Sequence, residues 1–176
     1  MATIPTLETA RLRLRPYRLD DFEAYAAMWA DPEVTRFIGG VPFGREFSWT
    51  RFLRHAGMWD YMGFGYFAIA DKQSDVFLGE CGFQDALRQL TPSLLGTLEA
   101  GWSLTSAHHG HGFATEAMQA ALGWAEAAHA DKRITCMIDT DHAVSQRVAA
   151  RLGFTQFAAT TYGGKAVLLF ERHRQP

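Results

Sequence analysis

The stretch with the clearest chemical meaning runs over residues 98–117, LEAGWSLTSAHHGHGFATEA. In it, Gly110 and Gly112 separate an apolar run of strand type from a long helical pattern. The first turn of a helix carries four N–H groups without an internal partner and the positive end of the helix dipole. Glycines before such a turn let backbone amides surround a phosphate or pyrophosphate. The spacing predicts an anion-binding turn; a plain turn, with the helix end satisfied by Thr115 and Glu116, is the alternative.

A dinucleotide site is a second interpretation of this turn. Such a site requires G-x-G-x-x-G after a strand and an acidic residue at the end of the next strand, where Asp139 stands. Thr115 occupies the third glycine position, however, and roughly a hundred residues precede the motif, whereas dinucleotide-binding units usually open with it. No Gly-Lys-Ser/Thr follows, so a Walker A motif is absent. A dinucleotide-dependent oxidoreductase is therefore the less favoured alternative.

Three histidines, His108, His109 and His111, raise the question of a metal at the same turn. The sequence contains neither an H-E-x-x-H helix nor a C-x-x-C pair. The adjacent His108 and His109 are also poorly placed to share one ion. We therefore expect no metal here.

A carboxylate lies inside the strand-like run that precedes the turn. Alternation along this run places its residues on two faces: Glu99, Gly101 and Ser103 on one, and Leu98, Ala100, Trp102 and Leu104 on the other. Burying a charged carboxylate among apolar neighbours costs free energy. Glu99 is therefore expected to be hydrogen-bonded, shifted in pKa or functional.

The elements that position these residues follow from the hydrophobic pattern. Strands are predicted at 11–15, 63–70, 76–84, 96–104, 133–139, 154–159 and 165–172. Helices are predicted at 19–31, 46–60, 112–130 and 142–152. The helix over 112–130 has the most regular apolar stripe. The order β-α-α-β-β-β-α-β-α-β-β is typical of an α/β fold with a mixed sheet.

Length and composition indicate one compact domain over residues 1–176. With 48% hydrophobic residues, the chain can bury a core without a disulfide or metal. A formal charge of −2 argues against a nucleic-acid-binding protein. Cys81 and Cys136 lie far apart in apolar runs, which predicts buried free thiols in a reducing compartment. Without a signal sequence or an apolar run of about 18 residues, a cytoplasmic protein without membrane attachment is expected.

Three segments together resemble one enzyme family. They are ETARLRLRPYRLDDFEAYAAMWADPEVTRFI, HGHGFATEAM and HAVSQRVAARLGF. In this order they are similar to the GNAT superfamily of acetyl-CoA-dependent N-acetyltransferases, in particular the ribosomal-protein N-terminal acetyltransferase branch. The resemblance spans nearly the whole chain. It implies a single-domain α/β GNAT fold with a mixed, mostly antiparallel seven-stranded sheet and about four helices. The sheet would be splayed between its fourth and fifth strands, 97–104 and 133–138.

The resemblance also implies the cofactor and the residues that bind it. Acetyl-CoA would lie in the splayed gap, with its pyrophosphate on the amides of 110–115. The implied binding residues are Trp102, Ser103, Leu104, His109, Gly110, His111, Gly112, Phe113, Ala114, Thr115 and His142. His109 stands where the family has Gln or Arg, and His142 where it usually has Asn. We expect one of these histidines to replace the lost contact by a charge-assisted hydrogen bond when protonated.

Acetyl transfer needs a neutral amine, a polarised carbonyl and a proton for the departing thiolate. Glu99 resembles the family's acid and is the candidate general base; a structural Glu paired with an arginine is the alternative, and Glu80 is the competing carboxylate. By resemblance Ser145 would protonate the thiolate, although an ordinary helix-surface serine is equally consistent with the pattern. A backbone N–H near Leu104 would meet the oxyanion. Neither cysteine lies in the motif region, so direct transfer in a ternary complex is expected.

The acceptor is not encoded in a readable motif. Protein N-termini, amino acids, polyamines, aminoglycosides and other small amines all fit, and a homodimer is compatible with the sequence. Some of the aromatic residues in and beside the second predicted helix are expected to line an acceptor groove. The set is Phe37, Phe43, Trp49, Trp59, Tyr61 and Phe64. A non-catalytic acyl-CoA sensor is the alternative function, motivated by the histidines at two motif positions.

Overall fold

The computed structural model describes residues 3–173. The strands are β1 (Leu7–Glu8), β2 (Leu12–Arg15), β3 (Tyr66–Asp71), β4 (Phe77–Gln84), β5 (Leu98–Leu104), β6 (Ile134–Asp139), β7 (Phe154–Tyr162) and β8 (Lys165–Arg172). The α-helices are α1 (Phe22–Ala30), α2 (Pro32–Thr35), α3 (Arg45–Met62), α4 (Phe113–Ala128) and α5 (Ala143–Arg151). The predicted α/β fold is confirmed, and the short β1 and α2 are additional to the expected elements.

All eight strands form one mixed sheet in the order β1-β2-β3-β4-β5-β6-β8-β7. Only β5 and β6 are parallel neighbours; the other pairs are antiparallel. Their pairing is limited to Leu98 with Ile134 and Glu99 with Thr135. Beyond these residues β5 stays with β4 as far as Leu104, while β6 stays with β8. The two parallel strands therefore separate after Glu99, which confirms the predicted splay; with β1 included they are the fifth and sixth strands.

Helices cover both faces of this sheet. The apolar stripe of α4 packs into the larger core cluster, with Met118 and Leu122 almost fully buried against the sheet face that carries Phe67 and Leu98. The opposite face is covered by α1 and α3, whose Tyr25, Trp29 and Phe52 pack with Ala68 and Phe77. The alternation predicted for β5 is confirmed by these clusters: Leu98, Ala100, Trp102 and Leu104 face α4. Glu99, Gly101 and Ser103 face the side of α1 and α3.

Two helix ends differ from the sequence expectation. Asp31-Pro32 ends α1 as predicted, but Pro32 also begins α2, because the Asp31 side chain accepts a hydrogen bond from the Glu33 amide. Pro is well suited to the first position of a helix, since its missing N–H would have no partner there. Helix α3 runs through Gly57 and ends at Gly63, a left-handed residue with φ +71°.

Candidate active site

The glycine turn before α4 has an open backbone. Gly110 and Gly112 both have φ +79°, a conformation that a residue with a Cβ rarely adopts. The amides of His108 and His109 bond back to the carbonyls of Thr105 and Ser106, and the Glu116 amide bonds to Gly112. Within residues 3–173, none of the amides of residues 110–115 donates a hydrogen bond. The turn therefore presents unpaired donors at the positive end of a 16-residue helix.

Glu116 points away from this helix end. Its Oε1 accepts from Thr9 Oγ1 at 2.6 Å and from the Arg11 amide at 3.0 Å, and its Oε2 accepts from Arg11 Nε at 2.8 Å. No side chain caps α4 among the described residues. Thr115 and Glu116 therefore do not satisfy the helix end as the plain-turn alternative expected, because the Glu116 carboxylate ties the N-terminal segment to the helix instead.

A cavity of about 500 Å³ lies beside the gap between β5 and β6. It is bounded by α3, by the loop around Phe37 and by the β7–β8 hairpin. Its charged and polar lining residues are Arg51, Arg54, Glu80, Gln84, Arg88, Glu99, Ser103, Asp139, His142, Ser145 and Lys165. The two carboxylates singled out from the sequence thus share one cavity.

Glu99 is buried at the start of the splay and is fully engaged. Arg88 holds it with Nη2 at 2.8 Å from Oε1 and Nε at 2.8 Å from Oε2, and Gln84 donates to Oε1 at 3.0 Å. The Arg88 guanidinium lies 4.7 Å from the centre of the Tyr162 ring. The pairing with an arginine, the alternative for Glu99, is thus present, and it holds the carboxylate in place at the cavity wall.

Glu80 is enclosed more completely, with 1% exposure. Tyr17 Oη donates to it at 2.6 Å, Arg51 Nη2 donates at 3.1 Å, and His55 Nε2 lies at 3.3 Å. Burial alone raises the pKa of Glu80, but the charge of Arg51 and the hydrogen bonds from His55 and Tyr17 outweigh it and lower the pKa to about 2. Glu80 is therefore a stable anion that joins α3 and the residues after β2 to the sheet.

Ser145 and His142 lie together at the start of α5. Ser145 Oγ is 3.3 Å from His142 Nε2, and the His142 ring stacks on Phe37 with centroids 4.3 Å apart. Burial lowers the pKa of His142, so its neutral ring is favoured, contrary to the protonated form expected for this residue. His142 is the N-cap residue of α5, and within residues 3–173 no side chain caps this helix.

The remaining predicted residues divide between the cavity and the turn. Trp102 and Ser103 line the cavity, and the carbonyl of Leu104 accepts a hydrogen bond from His109 Nε2 at 3.0 Å. Phe113, Ala114 and Thr115 form the half-buried first turn of α4, and His111 is exposed. His109 thus links the end of β5 to the turn.

The expectation about the aromatic residues is largely wrong. Only Phe37 of that set lines the cavity. Trp59, 2% exposed, packs on Phe67 and Trp124 in the core. Tyr61 is 91% exposed. Trp59 was misassigned because a tryptophan on a weakly amphipathic helix carries no signal for the face on which it lies.

Several residues that line the cavity were not identified from the sequence, among them Trp29, Tyr66, Arg88 and Tyr162. Each of these four lies in a separate element or loop, and only the tertiary structure brings them together. One signal was present for Tyr66, because Gly82 and Gly101 each interrupt a strand and glycine inside a strand often marks a close approach.

Cys81 and Cys136 are buried free thiols, as predicted, and burial raises the pKa of both. Within residues 3–173, no group of three or more His, Cys, Asp or Glu side chains is arranged to hold a metal ion. In the same part of the chain, none of the helices combines the length and apolar character needed to cross a membrane.

Known proteins share this architecture. The family model for the Acetyltransferase (GNAT) domain matches residues 11–155. N-acetyltransferase p20 of Bacillus licheniformis is 29% identical over 150 residues, covering 85% of this chain and 82% of that protein. A GnaT-family acetyltransferase from Bordetella pertussis superposes with a TM-score of 0.85 at 33% identity, covering 97% of this chain and 100% of that one.

The fold also extends to more distant enzymes. RimL, a ribosomal L7/L12 alpha-N-protein acetyltransferase solved in complex with coenzyme A, superposes with a TM-score of 0.76 at 15% identity, over 96% of this chain and 97% of that chain. That likeness shows the fold alone. The match over residues 11–155, together with the splayed sheet and the Bordetella structure, shows that the chain is an acetyltransferase of the GNAT family.

Proposed function

We propose that the protein transfers the acetyl group of acetyl-CoA to a primary amine by direct attack in a ternary complex. One observation carries the proposal: the unpaired amides of residues 110–115 lie at the head of α4, next to a splayed strand pair that opens into a cavity lined by Glu80 and Glu99. A phosphate-binding turn and a slot for an extended chain are thereby adjacent.

The residues present fit acetyl-CoA. Gly110 and Gly112 hold the turn in a backbone conformation that leaves its amides free, and Phe113, Ala114 and Thr115 supply the first-turn donors for the pyrophosphate. His109 and His111 stand beside this turn, and Trp102, Ser103 and Leu104 form the β5 side of the slot. Acetyl-CoA supplies the activated acyl group; His142 lies across the gap on the α5 side.

The amine must lose a proton to react at neutral pH. Glu99 is our proposed general base, acting directly or through water, because it lies where the strands separate and it faces the cavity. Arg88 holds this carboxylate in one orientation and would release part of its hold when the proton arrives. Glu80, with a pKa near 2, is too weakly basic to compete.

Ser145 is the proposed proton donor for the departing thiolate. Its hydroxyl faces the cavity from α5 and is linked to His142, whose neutral ring can pass on a proton. The thiol of Cys136 also lines the cavity, but its raised pKa keeps it protonated, which supports direct transfer over an acyl-cysteine.

An acetyl-transfer assay tests the proposal. Purified protein is incubated with acetyl-CoA and a panel of amines: peptides with free Ser or Ala N-termini, amino acids, polyamines and aminoglycosides. Free thiol is measured continuously and the acetylated product by mass spectrometry. The same peptides with blocked N-termini are the matched controls. We expect thiol release only with free amines.

Three results would contradict this expectation in different ways. CoA binding without transfer to any amine would favour an acyl-CoA sensor. Thiol release equal for free and blocked peptides would indicate hydrolysis. Thermal protection by NAD(P) and not by CoA would favour the oxidoreductase.

A further inference from the structure

The Tyr66 hydroxyl occupies a hollow between two glycines. On the sheet face covered by α1 and α3, Tyr66 of β3 is opposite Gly82 of β4, which is opposite Gly101 of β5. Neither glycine has a side chain, so the Tyr66 ring extends across both. A methyl group on Gly101 would overlap the Tyr66 hydroxyl. The phenol therefore reaches two strands away, to the middle of β5.

This position lies where the sheet opens. Gly101 is two residues beyond Glu99, the last residue of β5 that pairs with β6. Tyr66, Gly101, Ser103 and Ser145 line the same cavity. A hydroxyl over Gly101 is therefore directed at the start of the gap, between Glu80 and Glu99.

The Tyr66 side chain is fixed, while its hydroxyl has no partner. Trp59 Nε1 donates to the Tyr66 carbonyl at 3.0 Å, which anchors the start of β3, and the ring lies 5.5 Å from the ring of His55. Tyr66 is 6% exposed. Within residues 3–173, its Oη forms no hydrogen bond. A phenol held rigidly, with an unused donor facing a cavity, is arranged to meet a ligand atom.

The surroundings also determine which proton state is present. Burial and the negative charge of Glu80 raise the pKa of Tyr66, with a smaller contribution from Glu99. The phenol consequently stays protonated at neutral pH and can only donate toward a group that is gaining negative charge.

We propose that Tyr66 Oη donates a hydrogen bond to the thioester carbonyl oxygen while the amine adds to the carbonyl carbon. The inference rests on the proposed acetyl transfer. In that reaction a C–N bond forms, the C–S bond breaks, and the sulfur leaves with the bonding electron pair and then takes a proton. Tyr66 keeps its own proton throughout. Its O–H group stabilises the charge on the carbonyl oxygen, together with the backbone N–H expected near Leu104, and such a preorganised donor is effective in a site that excludes water.

The test is Tyr66→Phe, which removes the hydroxyl and leaves the ring. Removing one donor of this kind typically lowers kcat by about 10²–10³-fold, so we expect a loss of that order with KM for acetyl-CoA and CoA affinity within about twofold of the wild-type values. Incorporation of 3-fluorotyrosine at position 66, which keeps a donor, should retain most of kcat. Tyr61→Phe is the matched control, because Tyr61 is 91% exposed and does not line the cavity.

The outcomes separate this inference from the proposed function. An active wild-type enzyme with an equally active Tyr66→Phe variant would overturn the role of Tyr66 and leave acetyl transfer standing. A variant that loses CoA affinity or melting temperature in parallel with rate would show a structural role and also overturn it. A folded wild-type protein that binds CoA but acetylates no amine would overturn both.

Discussion

Glu80 and Glu99 lie on the same face of the sheet, yet their surroundings differ in kind. The partners of Glu80 come from two other parts of the chain. Arg51 and His55 lie on α3, and Tyr17 follows β2. The partners of Glu99 are Gln84, the last residue of β4, and Arg88, in the segment between β4 and β5. Contacts from α3 and from the residues after β2 give Glu80 a structural role, whereas the partners of Glu99 leave room for the proposed role as general base. Burial alone therefore does not distinguish the two roles.

The largest effect expected from this difference is on rate. Glu99→Gln removes the proposed base and should lower kcat by about 10²–10⁴-fold in protein that is still folded at the assay temperature, although Arg88 loses its counter-ion and the melting temperature should fall. Steady-state kinetics and thermal denaturation measure the two quantities. Glu171→Gln, which breaks the surface pair with Arg133, is the control and should leave kcat unchanged. Activity comparable to that of the wild type in Glu99→Gln, or a loss of rate fully explained by the fraction of variant that is unfolded at the assay temperature, would assign Glu99 to structure.

The second effect is on stability. Glu80→Gln leaves Arg51 without its buried counter-ion and should lower the free energy of unfolding by about 3–5 kcal/mol. Denaturant titration measures it. Glu23→Gln, whose pair with Arg45 is exposed, should cost less than about 1 kcal/mol. If both variants lost the same small free energy of unfolding, the buried pair of Glu80 would stabilise the fold no more than an exposed pair does.

The smallest effect is a pH dependence. Because folding lowers the pKa of Glu80 from 4.5 to about 2, its stabilisation is complete above the unfolded value and is lost as pH falls through the folded one. The free energy of unfolding should therefore decline between about pH 4.5 and pH 2 in the wild type, and more shallowly in Glu80→Gln. Identical slopes in the two proteins would show that Glu80 titrates normally.

The sequence predicted the parts of this site that depend on local pattern. Alternation along β5 placed Glu99 and Ser103 on one face, and the glycine spacing located the turn before α4. The parallel pair and its splay came from the family resemblance. What was missed depends on register: Tyr66 reaches Gly101 only through the pairing of β3 with β4 and of β4 with β5.

The side-chain partners of loop residues could not be predicted from the sequence either. Arg88 lies outside any helix or strand, in a segment without hydrophobic periodicity, so nothing in the pattern connects it with Glu99. The direction of Glu116 toward Thr9 and Arg11 depends on where the N-terminal segment lies, which the helix pattern does not contain. Side-chain partners far apart in the chain require the tertiary structure.

The proposed function depends most on the binding of the CoA pyrophosphate by the amides of residues 110–115. A CoA titration followed by ¹⁵N–¹H NMR measures this binding directly. We expect the amide signals of Gly110, Gly112 and the first turn of α4 to shift strongly and saturate, while those of the last turn of α4, at the opposite end of the helix, move little. Unchanged signals at this turn with CoA at millimolar concentration would contradict the proposed cofactor site and, with it, the proposed acetyl transfer.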